Sequence, residues 1–249
     1  MLRAYGDGNL FGELYGEGPI RVVFLHGWAR QGQDFATVAT ALAERGIASV
    51  ALDFPGFGSS PLPSTAGGAR HYSDLIVDAL RAMSDQPLVL VGHSFGGRVA
   101  TVVAARHPEL VRALVMTGAP LVRKTSSRKA PLGYRVAKWL NVKGLVSDER
   151  MEVAKKKHGS ADYRNADGIM RDILVATVNE SYEEELSKVA APVWLVWGSD
   201  DRDVPVSVAN EAMTHLGGAS TLRVIEGVGH LLPVSSPTSL LSAIEEALS

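Results

Sequence analysis

The sequence predicts an α/β protein with a mainly parallel β-sheet covered by helices on both faces. Short apolar segments of strand length alternate with helical patterns over most of the 249 residues. Strands that are buried on both faces read as continuous apolar runs, and several segments of this chain do so. A chain of this length with 46% hydrophobic residues can bury one sizeable core. We therefore expect one domain that carries an insertion.

The amino-terminal half predicts a hairpin followed by alternating strands and helices. The turn Gly6-Asp7-Gly8 separates Leu2–Tyr5 from Leu10–Tyr15 and favours an antiparallel pair. Buried strands are then expected at Val22–Leu25, Ile47–Leu52, Leu88–Val91 and Ala113–Thr117. Apolar residues recur at helical spacing in two sets, Phe35, Val38, Ala39 and Leu42, and Leu75, Ala79, Leu80 and Met83. The first of these helices should begin near Asp34, as its N-cap, and stop at Gly46.

The alternation stops between Leu121 and about Val189, where helical patterns occur without a convincing strand. We predict that residues 121–189 form a helical cap, and that residues 1–120 and 190–249 form the core. Strands and helices then resume, with strands at Val193–Trp197 and Leu222–Ile225, a helix around Val208–Leu216 and a closing helix that includes Ile244, Ala247 and Leu248. The total is about eight strands.

Ser94 is the candidate nucleophile. The segment Gly92-His93-Ser94-Phe95-Gly96 follows an apolar strand and precedes a helical pattern, which is the context of a G-x-S-x-G nucleophile elbow. Glycines on either side permit the sharp turn, because they lack the Cβ atoms that would clash. We expect the Ser94 hydroxyl to project from the apex and the side chain of His93 to point away from it.

A serine hydroxyl needs a base to take its proton and a carboxylate to orient that base. In open parallel sheets such groups collect in loops at the carboxyl ends of strands. His230 follows the last predicted strand, and the loop after Val193–Trp197 offers Asp200, Asp201 and Asp203. The order Ser, Asp, His matches that of hydrolases with this elbow.

The chain resembles the α/β-hydrolase superfamily from about Leu10 to its end, except in the insertion. The matching segments occur in order, and they are His26-Gly27-Trp28, Asp53 to Ser59, the elbow, His107-Pro108-Glu109, Trp197 to Asp201 and Gly229-His230. The resemblance implies an α/β-hydrolase fold with an eight-stranded sheet. Among the three acids it selects Asp201, the third residue after Gly198, as the partner of His230.

The same resemblance implies an oxyanion hole made by the backbone N–H groups of Trp28 and Phe95. His26 is expected to brace the loop that carries Trp28 rather than to react. The substrate pocket is expected to be lined by Trp28, Trp139, Met170 and Leu174. Ser94 excludes the branches of the superfamily that use an aspartate nucleophile, namely haloalkane dehalogenases and epoxide hydrolases.

Charge is unevenly distributed along a chain whose formal net charge is −2. Between Leu121 and Lys157 there are eleven lysine and arginine residues against three acidic ones, an excess of eight positive charges. We call residues 121–157 the basic segment. It is interpreted either as a solvated surface or as a surface that attracts an acidic substrate or carrier protein.

Composition excludes several other classes of function. The chain has no cysteine, so disulfides, thiolate catalysis and cysteine-bound metals are excluded. No apolar run reaches the roughly 18 residues of a membrane helix, and no secretory leader is recognisable at the start. We expect a cytoplasmic protein that needs no cofactor or metal and has no nucleic acid or membrane as partner.

The leading hypothesis is a serine carboxylesterase that acts on a small-molecule ester through an acyl-enzyme on Ser94. The pimeloyl-carrier-protein methyl ester esterases are similar in length, in the His-Gly-Trp loop, in the small cap and in its basic surface. Serine C–C hydrolases or lyases of the same fold share most of these motifs and stay open as alternatives. A ligand receptor with a vestigial triad is a further alternative, because an intact triad is not sufficient for catalysis.

Overall fold

The computed structural model of the chain describes residues 1–6, 8–122 and 161–249. Eight strands form one sheet in the order β1-β2-β4-β3-β5-β6-β7-β8. They are β1 Leu2–Tyr5, β2 Leu10–Tyr15, β3 Ile20–Leu25, β4 Ala48–Asp53, β5 Leu88–His93, β6 Val111–Thr117, β7 Val193–Gly198 and β8 Ser220–Ile225. The predicted eight-stranded sheet is therefore confirmed.

The α-helices of the described residues are α1 Ala36–Ala43, α2 Ala69–Met83, α3 Phe95–Arg106, α4 Ala161–Asn165, α5 Gly168–Asn179, α6 Glu183–Lys188, α7 Val206–His215, α8 Leu232–Ser235 and α9 Pro237–Leu248. Short 3-10 turns occur at Gly32–Phe35 and Pro108–Leu110. None of these helices is long and apolar enough to cross a membrane.

The sheet is antiparallel only at the edge that the hairpin forms. β1 pairs with β2, and β2 with β4, in antiparallel orientation, whereas every pair from β4 to β8 is parallel. The register places Leu25 of β3 beside Gly92 of β5, and His93 beside Thr117 of β6. The loops that follow β3, β5 and β6 therefore meet at one edge of the sheet.

The continuous apolar runs arise because both faces of the sheet are covered. In β3, Val23 and Leu25 face the cluster that contains α2 and α3, whereas Val22 and Phe24 face the cluster that contains α1 and α9. Leu90 and Val91 of β5 divide between the same two clusters. A strand with two buried faces shows no polar alternation, which is the pattern seen in the sequence.

The predicted N-cap of the first helix is wrong. Residues Gly32–Phe35 form a 3-10 turn, α1 begins only at Ala36, and Asp34 caps neither element. The Asp34 carboxylate instead accepts two hydrogen bonds from Arg30, each 2.6 Å long. A charge-assisted bidentate pair is stronger than an N-cap bond, so the side chain is drawn back to Arg30.

Part of the predicted cap lies within the described residues. Residues 161–188, within the predicted cap, form α4, α5 and α6. Residues 123–160 lie outside the described part of the chain, and so do Trp139 and nearly all of the basic segment. The boundaries 121–189 stay a prediction.

Candidate active site

Ser94 occupies a strained position between β5 and α3. Its φ and ψ are 50° and −109°, values that non-glycine residues rarely adopt. The Ser94 N–H donates a 2.9 Å hydrogen bond to the carbonyl of Thr117, which anchors the turn to β6. Strain of this kind costs about 1–3 kcal/mol and persists only where the surroundings hold it, commonly at functional sites.

The glycines of the elbow are required by space. A Cβ on Gly92 would lie 2.6 Å from the Cα of Gly97, closer than real Cβ contacts. A Cβ on Gly96 would overlap the carbonyl oxygen of Leu25. The close approach of the elbow to β3 and to its own helix therefore depends on glycine at both positions, as the sequence pattern predicted.

His230 and Asp201 are brought together by the loops after β8 and β7. The Nδ1 atom of His230 lies 2.8 Å from Oδ2 of Asp201, whose side chain is only 1% exposed. The other carboxylate oxygen, Oδ1, accepts the backbone N–H groups of Asp203 at 3.0 Å and Val204 at 2.8 Å. Both oxygens are therefore engaged, which fixes the carboxylate against the imidazole.

The two neighbouring acids do not reach His230 in this way. Asp200 is exposed and accepts a 3.2 Å hydrogen bond from the Ser199 hydroxyl, and Asp203 is also exposed. Asp201, Asp203 and His230 carry ligand atoms within 4.8 Å of one another, a spacing that suits a metal ion. Because Asp201 already binds the imidazole and two N–H groups, the geometry fits a hydrogen-bonded pair better than a metal centre.

Ser94 and His230 line the same cleft, which has a volume of about 470 Å³. Trp28, Phe95 and Leu174 line it as well, so five of the predicted site residues converge there. A neighbouring cleft of about 640 Å³ is lined by Met170 and shares Trp28 with the first. Trp139 lies outside the described residues. The catalytic and pocket roles of these residues stay predictions.

Trp28 is held by an aromatic cluster next to the elbow. Its ring packs edge-on against Phe95 at 5.9 Å and Phe57 at 5.1 Å between centroids. The following residue, Ala29, has a φ of 54°, so this loop is strained as Ser94 is. The sequence gives no sign of that strain, because alanine carries no preference for a positive φ.

His26 ties the Trp28 loop to the loop after β4. Its Nε2 atom accepts the N–H of Phe54 at 3.0 Å, so Nδ1 carries the proton and donates to the Gly27 carbonyl at 2.7 Å. The side chain is completely buried, and burial lowers the pKa of His26 to about 4. A neutral imidazole held at both nitrogens agrees with the expected bracing role.

Asp53 holds the same two loops together from β4. Its carboxylate accepts the N–H of Gly32 at 2.7 Å and the N–H of Ser59 at 2.8 Å. The Ser60 hydroxyl donates to the Asp53 carbonyl at 2.6 Å. The sequence marked this segment as turn-rich but gave no means of assigning partners to the carboxylate.

The expected direction of the His93 side chain is wrong. Its ring lies 4.8 Å from the ring of His230, between centroids, and lines the cleft that contains Ser94. Nδ1 of His93 lies 3.2 Å from the carbonyl of Thr117. Burial, assisted by the nearby His230, lowers the pKa of His93 to about 3. The residue is therefore a neutral support beside His230.

Comparisons with known proteins show which family the sequence resembles. A family model described as serine aminopeptidase, S33, matches residues 19–234. A pimeloyl-[acyl-carrier protein] methyl ester esterase from Chromobacterium violaceum is 45% identical over 118 residues, which cover 46% of this chain and 43% of that protein. The esterase of the same name from Neisseria meningitidis is 28% identical over 229 residues, covering 84% of this chain and 86% of that protein.

Solved structures show the same fold. An esterase from Exiguobacterium antarcticum matches with a TM-score of 0.74 and 20% identity, covering 100% of this chain and 99% of that one. At this identity the match concerns the fold alone, and it confirms the predicted α/β-hydrolase architecture. Since the family model spans most of the sequence, the chain is a hydrolase that belongs to the serine aminopeptidase S33 family of α/β-hydrolases.

Proposed function

We propose that this hydrolase is a carboxylesterase that forms an acyl-enzyme on Ser94. The observation that supports the proposal most directly is the hydrogen bond between His230 and the buried Asp201, in the cleft where the strained Ser94 lies. Because the Nδ1 proton is held by the carboxylate, Nε2 of the imidazole is free to act as base. These are the parts that acyl transfer to a serine requires.

In the proposed reaction the Ser94 oxygen attacks the ester carbonyl as His230 Nε2 takes its proton. His230 then gives that proton to the departing alcohol as the tetrahedral intermediate collapses to the acyl-enzyme. A water molecule, deprotonated by the same nitrogen, then attacks the acyl carbon, and His230 returns that proton to the Ser94 oxygen as its bond to the acyl carbon breaks and the acid leaves. Asp201 keeps its charge throughout and stabilises the imidazolium that forms at each step.

The negative charge on the carbonyl oxygen requires fixed donors. In this proposal they are the N–H of Phe95, at the first residue of α3, and the N–H of Trp28. The start of α3 supports the donor at Phe95, because the N–H groups there point outward and the helix dipole favours negative charge. Trp28, Trp139, Met170 and Leu174 are proposed to hold the acyl chain, with the cap at residues 121–189 closing over it.

The substrate is proposed to be an acidic or carrier-bound ester. Two of the relatives reported above are named as esterases of an acyl-carrier-protein ester, and the sequence of the basic segment carries charge of the suitable sign. Attraction of that kind acts mainly on the rate of encounter. The chemistry as written needs no cofactor, and the expected cytoplasmic location stays a prediction.

The test of the esterase proposal is replacement of the nucleophile. Ser94→Ala should lower the turnover of p-nitrophenyl acetate roughly 10⁶-fold, as removal of a nucleophilic serine does elsewhere. Labelling by a fluorophosphonate should be lost as well. Ser187→Ala, at an exposed position on α6, serves as the matched control and should keep both. Unchanged turnover in Ser94→Ala would exclude the proposed mechanism.

A further inference from the structure

Arg98 is a charged side chain in the cleft that the proposed mechanism does not use. It lies four residues after Ser94 on α3, one helical turn or about 6 Å along the axis, and it lines the same 470 Å³ cleft. Its Nε donates to the carbonyl of Pro120 at 3.2 Å, and one terminal nitrogen donates to the carbonyl of Thr177 at 2.9 Å. These two backbone carbonyls therefore fix the orientation of the guanidinium.

Arg98 forms no salt bridge within the described residues, although the Glu180 carboxylate is near enough to attract its charge. Its ring contact is with Tyr182, whose centroid lies 5.8 Å from the guanidinium carbon. Glu180 and Glu185, the acids of this region, pair with Arg70 at 3.9 and 2.6 Å instead. Burial lowers the pKa of Arg98, and the neighbouring Tyr182 and Glu180 oppose that change only in part. A guanidinium has five N–H donors, so a further acceptor can be bound.

Arg30, the other arginine of the cleft, provides the contrast. Its guanidinium forms a bidentate pair with Asp34, with both hydrogen bonds at 2.6 Å, so its charge is already balanced. Asp162 and Asp203 also line the cleft, but both residues are exposed. Solvent therefore screens the interaction of their charges with other groups. Of the two arginines described there, Arg98 is the one that is half-buried without a salt bridge.

We propose that Arg98 binds a carboxylate of the substrate, so that the preferred ester carries an anionic group besides its reacting carbonyl. This inference rests on the proposed esterase function and adds a substrate class to it. A planar guanidinium recognises a carboxylate through two parallel N–H bonds, which gives orientation as well as affinity. The carboxylate can belong to the acid half or to the alcohol half of the ester.

The test compares charged esters with neutral esters of the same shape. For the acid half the pair is monoethyl glutarate and ethyl pentanoate, and for the alcohol half it is 3-(butyryloxy)propanoate and propyl butyrate. The wild-type protein should give a higher kcat/KM for the charged member of one pair. Arg98→Met should reduce that charged-to-neutral ratio roughly tenfold to a hundredfold, the loss expected for a charge-assisted hydrogen bond.

Arg106→Met is the control, because Arg106 lies on the same helix, is exposed and pairs with Asp74. It removes the same charge and should keep the ratio of the wild-type protein. A wild-type protein that prefers the neutral member of both pairs overturns the proposal. An equal fall of both members in Arg98→Met overturns it too, because Arg98 would then only support the backbone of Pro120 and Thr177.

A binding measurement separates this inference from the esterase proposal. In the Ser94→Ala protein, monoethyl glutarate should bind more tightly than the uncharged ester ethyl pentanoate by calorimetry, and addition of Arg98→Met should remove the difference. This readout needs no turnover. If monoethyl glutarate binds in this way while no ester is hydrolysed by the wild-type protein, the carboxylate site stands and the esterase proposal fails. Equal binding of the two esters removes the carboxylate site alone.

Discussion

Replacement of Asp201 by asparagine tests the proposed triad with little disturbance of the fold. The asparagine oxygen can still accept the N–H groups of Asp203 and Val204, which bind Oδ1 of the aspartate at 3.0 and 2.8 Å. The amide nitrogen then faces Nδ1 of His230, where Oδ2 lies at 2.8 Å in the native protein. Because an amide N–H donates, Nδ1 must accept and the imidazole proton moves to Nε2.

A histidine with its proton on Nε2 cannot take the proton of Ser94. We expect kcat for p-nitrophenyl acetate to fall roughly 10⁴-fold, which corresponds to about 5 kcal/mol of transition-state stabilisation. The midpoint of thermal unfolding should change by only a few degrees, since the two backbone acceptor contacts remain. Stopped-flow measurement of the acylation burst would show directly whether the attack of the serine is the step that slows.

Asp200→Asn is the matched control, because Asp200 is the exposed neighbour and makes its contact with Ser199. It removes the same charge from the same loop and should change kcat less than twofold. If Asp201→Asn lost less than tenfold, or if both variants lost activity equally, the assignment of Asp201 as the orienting acid would be wrong.

Two further predictions concern pH and charge. The pKa of buried His93 lies below the ordinary value of about 6.5, so the unfolded chain binds the proton first and stability is lost as pH falls below 6.5. The free energy of unfolding, measured with urea, should fall between pH 7 and pH 5 by about 2 kcal/mol less in His93→Gln than in the wild-type protein. Equal falls in the two proteins would refute this prediction. The second prediction reverses the charge of four residues of the basic segment, Arg123, Lys124, Arg128 and Lys129. This change should lower kcat/KM for an acyl-carrier-protein ester more than for p-nitrophenyl acetate. A higher salt concentration should have the same effect on the unmodified protein. A common response of both substrates would mean that this surface is only solvated.

The parts of the site that the sequence predicted are those that depend on short spacings. The elbow could be recognised because few backbone arrangements allow so sharp a turn, and the one found here requires glycine at positions 92 and 96. His230 and the loop that carries Asp200, Asp201 and Asp203 could be placed near each other because the carboxyl ends of parallel strands lie at one edge of the sheet. The structure brings Ser94, Asp201 and His230 to that edge, while their roles await the experiments above.

The parts that the sequence did not predict depend on contacts between distant segments. The direction of His93 is set by Thr117 and His230, and the partners of Arg98 lie in segments 22 and 79 residues away. No local pattern encodes such partners. Asp34 differs, because its partner is local. Its side chain is of a type that caps helices, but it pairs with nearby Arg30, and the helical pattern does not reveal that pairing.

The hydrogen bonds of Asp53 and His26 have a consequence for the entropy of substrate binding. Together they fix the loop of Gly27 and Trp28 and the loop from Phe54 to Ser59, without using any group of a ligand. The conformational freedom of both loops is therefore lost when the chain folds rather than when a substrate arrives. One wall of the cleft is rigid beforehand, so more of the contact energy of a substrate remains for orienting its carbonyl against Ser94.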